Sequence, residues 1–201
     1  MNKEYLTEVA YQYFPRGVNE ISHLQDYITS PEFISLSNKC NDAKISYENG
    51  DFKPFYDEIK LLDTSKNFYD STFFHLNDRA HNLQFAELRG TKYYSICLYI
   101  SIIIPCFTLY VLETDISHAL VEPVNFLRPG YKPLRNKEME KYYRPLTDQM
   151  IAVCRKYFDI TEFPEQLIDT VVPDINYQTI PFGKFTFFNA FFHDNYSYFR
   201  L

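Results

Sequence analysis

Between Lys92 and Glu113 the chain runs for 20 residues, 93–112, without a single charge. That length matches a helix crossing a membrane. However, Pro105 sits at the centre of the run, Tyr, Ser and Thr are scattered through it, and its apolar residues are mainly β-branched or aromatic. Such residues favour strands, and an unbroken apolar run marks a strand covered on both faces. The segment therefore predicts two buried strands, 93–104 and 107–112, joined near Pro105, and not a membrane span.

The neighbouring residues extend this sheet. Arg89-Gly90-Thr91-Lys92 reads as a turn, while Phe68-Tyr69, Thr72-Phe73-Phe74 and Leu83-Gln84-Phe85 favour extended structure. An antiparallel sheet of three to five strands is expected. Upstream the period turns helical. Tyr5, Leu6, Val9, Ala10 and Tyr13 share a stripe that Pro15-Arg16-Gly17 ends, and a second helix over 19–28 is expected to turn Ile21, Leu24 and Ile28 inward. Ser30-Pro31-Glu32 reads as an N-cap followed by Pro in the first turn, opening a helix with Phe33, Leu36, Cys40 and Ala43 at helical spacing. A fourth helix carries Phe55, Ile59 and Leu62. A Pro-rich link, 122–133, precedes the strongest helical pattern, 137–158, capped by Asn136 and kinked or divided by Pro145. A short helix through Leu167 and Ile168 and an aromatic tail over 185–198 follow.

With 201 residues, 46% hydrophobic and 23% charged, this is the make-up of one globular domain over 1–201, helical over 1–65, strand-rich over 66–115 and helical over 136–201. The expected class is α+β, with several helices packed on a small antiparallel β-sheet.

Several functions are disfavoured. Lys and Arg number 20 against 26 Asp and Glu, a formal charge of -6, the reverse of what phosphate-backbone binding needs. The basic residues Arg128, Lys132, Arg135, Lys137, Lys141 and Arg144 are interleaved with Glu138 and Glu140, which reads as a solvated face. Residues 1–14 carry Lys3, Glu4 and Glu8 and do not read as a signal peptide. Cys40, Cys97, Cys106 and Cys154 lie far apart without zinc spacing, and read as buried, reduced thiols of a cytoplasmic protein. His23, His75, His81, His118 and His193 form no metal motif. His75, Asp78 and His81 would share one helical face, but Asn77-Asp78-Arg79 reads as a turn after a strand. No nucleophile elbow or phosphate loop is present, and the acid pairs Asp57 with Glu58 and Glu138 with Glu140 are ordinary for solvated helices. No cofactor, metal or catalytic constellation is expected.

Two features point to binding. Asp159, Glu162, Glu165, Asp169 and Asp174 follow one another without an intervening Lys or Arg, a pattern suited to a basic partner. The chain also holds 19 Phe and 18 Tyr, residue types enriched at binding hot spots.

The order of segments carries a resemblance. Tyr13-Phe14-Pro15-Arg16-Gly17 is followed by Tyr27, Ser30-Pro31-Glu32-Phe33, the strand pair around Tyr94-Ser95-Ile96-Cys97 and Phe107-Thr108-Leu109-Tyr110, then Val172-Pro173-Asp174 and Gly183 through Asp194. This arrangement resembles the immunity proteins of bacterial polymorphic-toxin systems. The resemblance implies a cytoplasmic protein that binds a cognate toxin stoichiometrically and blocks its active site or its substrate access, the acidic series suiting a basic toxin such as a nuclease. The competing expectations are a small enzyme built around His75, His81 and Cys154, and a structural or regulatory subunit that self-associates through its aromatic C-terminus.

Overall fold

The computed structural model describes residues 1–76, 78–117 and 134–194. The chain is α+β. The uncharged run folds as expected into β3 (Lys92–Ser101) and β4 (Cys106–Asp115), which flank the centre of the sheet with β2 (Ala80–Arg89). β1 (Asn67–Asp70) lies on the other side of β2, and the order is β1-β2-β3-β4-β5, all antiparallel. Two short pieces share the outer edge of β4: β5 (Leu134–Arg135) beside Leu112 and Glu113, and β6 (Thr161–Glu162), parallel, beside Cys106 and Phe107. Gly90, at φ +62°, opens the two-residue turn from β2 to β3, where a side chain would be strained. At the other end of β3 the Ser101 hydroxyl accepts from the Ile103 and Ile104 amides, closing the turn that contains Pro105.

Strand alternation divides the core in two. One face of the sheet carries the rows Leu83–Leu98–Leu109 and Phe85–Ile96–Val111. It is covered by α4 (Lys53–Lys60) through Phe55 and Ile59, and by α6 (Arg144–Tyr157) through Leu146, Met150, Val153 and Cys154. The opposite face carries Asn82–Tyr99–Thr108 and Gln84–Cys97–Tyr110. It meets α1 (Lys3–Ala10) and the C-terminal segment, whose Phe185, Phe187, Phe188, Phe191 and Phe192 are all buried, the last four on or beside α7 (Phe187–Phe191). Residues 185–192 of the aromatic tail are thus core of their own chain and are not available as an exposed aromatic face.

Local chemistry sets the helix ends. Asn2 caps α1, and Ser30 accepts from the Phe33 amide to cap α3 (Pro31–Glu48). The pattern over 137–158 is divided at Tyr143 into α5 (Lys137–Tyr142) and α6, because Pro145 can sit only in a first turn. Asn136 caps α5 by accepting from Glu138 and Met139.

Three expectations are corrected. The helix over 19–28 is only α2 (Leu24–Ile28), because the Asn19 side chain accepts from the Ile21 and Ser22 amides and holds a turn there. Its inward residue is Tyr27, while Ile21, Leu24 and Ile28 face solvent. Thr72-Phe73-Phe74 is not a strand. Side chains replace the ladder there: Asp70 accepts from the Thr72 amide, Asp78 from the Phe73 amide, and Thr72 Oγ1 from the Asn82 amide. The segment through Leu167 is a single 3-10 turn, Glu165–Leu167. The link over 122–133, His118, Asn77 and tail residues 195–198 lie outside the described residues. No helix among the described residues is long and apolar enough to cross a membrane.

Candidate functional site

The acidic series begins where the chain leaves α6. Thr161 and Phe163 donate their amides to Pro105 and Phe107 carbonyls, which fixes Glu162 to the edge of the sheet, and the buried Phe163 ring anchors the strip. Asp159, Glu162 and Asp169 are exposed and have no ion pair among the described residues. Glu165 and Asp174 are engaged by the chain itself. Glu165 pairs with Lys137 and, at 3.2 Å, with Arg135. Asp174 accepts from Tyr11 Oη at 2.7 Å and Arg16 Nε at 2.8 Å. Burial alone would raise Asp174, but these two donors hold it below the usual carboxylate range. The five acids therefore present three free carboxylates and two that brace the scaffold.

Part of the basic stretch is likewise paired within the chain. Arg135 meets Glu140 at 2.5 Å in a partly buried pair, Arg144 lies 3.8 Å from Asp148 on a solvated face, Lys141 is exposed, and Arg128 and Lys132 lie outside the described residues.

The candidates for an enzyme are not gathered. His75 is exposed. His81 is buried under α4, boxed by the rings of Phe52, Phe55, Phe74 and Phe158, with Nδ1 2.7 Å from Tyr56 Oη. Phe74 holds its place in this box with a left-handed backbone, φ +44°, a strained conformation for such a side chain. Desolvation pushes His81 down to about 3, so its imidazole stays neutral at ordinary pH. Burial pushes the Cys154 thiol up to about 12 and Cys40 up to about 11, and all four cysteines are free and buried. Among the described residues no three His, Cys, Asp or Glu side chains are grouped to hold a metal ion.

Asp78 belongs to a buried polar knot that was not foreseen. Arg79, wholly inaccessible to solvent, donates to the carbonyls of Leu76 and Asn189 and to Asp194 Oδ1. Its guanidinium lies over the rings of Tyr177 (5.2 Å) and Phe14 (5.6 Å). Asn189 forms a reciprocal cap with Thr186 and donates to the His193 and Asp194 carbonyls, while the Arg79 amide donates to the Phe192 carbonyl at 2.8 Å and ties the end of α7 to the loop before β2. Burial raises Asp194 above the usual range, with Arg79 working against that shift, and raises Asp78 to about 7. Arg79 Nε, Asp78 Oδ1, Asp194 Oδ2 and Tyr27 Oη are buried without a hydrogen-bond partner among the described residues, a cost that only a tightly packed surround sustains. The signal in the sequence was slight: Thr186-Phe-Phe-Asn189 has the spacing of a capping box.

An open cleft of about 530 Å³ lies outside the histidine box, lined by Tyr47, Tyr56, Phe68, Lys53, Lys60 and Asp70 among others. Its charges are largely matched: Lys53 pairs with Asp57 at 2.7 Å and Tyr47 donates to Asp70 at 2.8 Å. No protein-family model, curated protein or solved structure matches the chain.

Proposed function

We propose that this chain is a cytoplasmic immunity-type binding protein, which neutralises a cognate protein toxin by forming a stoichiometric complex. The observation that carries the reading is the acidic edge. Asp159, Glu162 and Asp169 are exposed; backbone hydrogen bonds clamp the chain beside Glu162 to the sheet edge, and the Ile168 and Thr170 carbonyls flanking Asp169 accept from the Phe188 and Phe187 amides, so a basic partner meets carboxylates carried on a fixed backbone there. The net charge of -6 draws such a partner in from a distance. The order of segments described above supports a toxin as that partner, and a basic toxin such as a nuclease suits the charge.

Co-expression with the product of the neighbouring gene tests the reading. The expected result is a one-to-one complex and loss of that protein's toxicity. A clean monomer or homodimer, with toxicity unchanged, overturns it. Charge reversal by Glu162→Lys with Asp169→Lys is expected to weaken the complex by roughly tenfold or more, mostly through slower association. A complex indifferent to these changes and to added salt removes the acidic edge from the interface.

A further inference from the structure

The surface around α2 inverts the usual arrangement of an amphipathic helix. Ile21 is 78% exposed, Leu24 54%, Ile28 37% and Ile34, in the first turn of α3, 47%. Apolar residues scattered singly over a surface are ordinary, but four aliphatic side chains within fourteen residues, with Leu24 and Ile28 one turn apart on α2 and Ile21 in the turn before it, are not.

The segment is firmly mounted. Tyr27 is its buried anchor, with ring centroids 5.5 Å from Phe33 and 6.4 Å from Tyr177, and its carbonyl accepts from Ser30 Oγ at 2.7 Å. Glu20 is held at both ends: its amide donates to Asn176 Oδ1 at 2.9 Å, and its carboxylate accepts from the Gln178 amide. The aliphatic groups thus face outward from a rigid base, which lowers the ordering cost of docking.

The charges along the segment are of one sign. From Gly17 to Asn38 there is no Lys or Arg, while Glu20, Asp26 and Glu32 are present. The cation just before it, Arg16, is neutralised by Asp174. An apolar centre with an acidic rim is complementary to an apolar patch rimmed by Lys or Arg.

We infer that Ile21, Leu24 and Ile28 form the apolar centre of a docking surface for a protein partner whose contacting face is apolar with a basic rim. This deepens the binding-protein reading and rests on it for the partner's biological role, though the surface itself has an independent test.

The probe is a synthetic amphipathic helical peptide with Leu on one face and Lys at its margins, titrated into the 15N-labelled chain. A counterpart with Glu in place of Lys serves as control. The Lys peptide is expected to shift amides over 19–34, the Glu peptide to leave them unmoved, and Ile21→Ser/Leu24→Ser/Ile28→Ser to weaken binding by roughly tenfold or more at unchanged melting temperature. Equal response to both peptides, no response, or shifts confined to other regions overturns the inference. Concentration-dependent dimerisation abolished by the triple substitution also overturns it, since the occupant would then be a second copy of this chain. The two readings separate with the neighbouring gene product as ligand. If wild type and the triple variant bind it equally, this surface fails while the function stands. If neither binds it but the Lys peptide docks as expected, the function fails while the surface stands.

Discussion

The two faces of the sheet are built from the same three strands with opposite chemistry. Toward α4 and α6 the strands present Leu83, Leu98, Leu109, Phe85, Ile96 and Val111, held by area and shape. Toward α1 and α7 they present Asn82, Gln84, Thr108, Tyr99 and Tyr110, and beyond them lies the Arg79–Asp194 pair. Hydrophobic burial is non-directional and graded, so the first face loses stability in proportion to what is removed. A buried charge pair is directional, and removing one member strands the other. The first face tolerates erosion; the second depends on specific partners.

The largest expected effect breaks the second face. Arg79→Met leaves Asp194 buried without its cation and is expected to cost about 3–5 kcal/mol in urea denaturation. Arg79→Met with Asp194→Leu removes both charges and is expected to recover roughly half of that loss or more. A single-variant cost below about 1 kcal/mol would show that this face is held by its aromatic rings instead. On the first face, Leu98→Ala is expected to cost about 3 kcal/mol through lost burial and an unfilled cavity, with no second change on the sheet able to rescue it by charge.

The same contrast explains what could be read from sequence. The first face was legible because its cause is local and periodic: the uncharged run over 93–112, the spacing of Phe55 with Ile59, and the Pro145 break all act within a few residues. The caps at Ser30 and Asn136 are legible for the same reason. The second face depends on partners far apart in the chain. Arg79 and Asp194 are separated by 115 residues, and Tyr27 turns inward because Tyr177 is there to receive it. That is why α2 was expected to bury Ile21, Leu24 and Ile28 when it buries Tyr27. Of the acidic series, the absence of Lys and Arg was visible, but not that Arg16, Arg135 and Lys137 come from elsewhere to engage Asp174 and Glu165.

Acidity probes buried groups on both faces. His81, under α4, is held near 3 when folded, against 6.5 ordinarily. Below pH 6.5 the unfolded chain takes up a proton that the folded chain refuses, so stability falls as pH falls from 6.5 toward 3. His193, held near 4 by burial and by Arg79, adds a loss of the same sign on the opposite face. Asp78 is raised to about 7, so the folded chain keeps a proton that the unfolded chain releases, and its contribution falls as pH rises from about 4 to about 7. His81→Leu leaves Tyr56 its 3.4 Å contact with Thr72. Relative to wild type it is expected to gain about 2 kcal/mol between pH 7 and 5, roughly 4–8 °C in melting temperature. Asp78→Asn is expected to shift the profile the other way, improving stability near pH 7 relative to pH 4. Parallel melting curves for either variant and wild type across that range would remove the residue from the acid response.

The smallest effect sharpens the boundary of the polar face. Asp174 lies at its rim, bonded to exposed Arg16 and half-buried Tyr11, while its carbonyl accepts the Gly17 amide at 2.8 Å. Asp174→Asn keeps one acceptor, for Tyr11, and leaves the backbone bond intact, so the charge and the hydrogen bond from Arg16 are what is lost. An ion pair open to water on one side is worth about 1 kcal/mol or less, and salt screens it. The folded carboxyl is depressed, so its contribution is present above the ordinary carboxylate range and fades as pH falls through the folded value. The melting-temperature difference between Asp174→Asn and wild type should therefore be small at pH 7 in low salt, smaller in high salt, and absent at strongly acid pH. A loss of more than about 2 kcal/mol that ignores salt would place Asp174 with Arg79 and Asp194. The partner-dependent face would then reach the surface beside α2, and changes there could not be read as binding effects without a matched stability measurement.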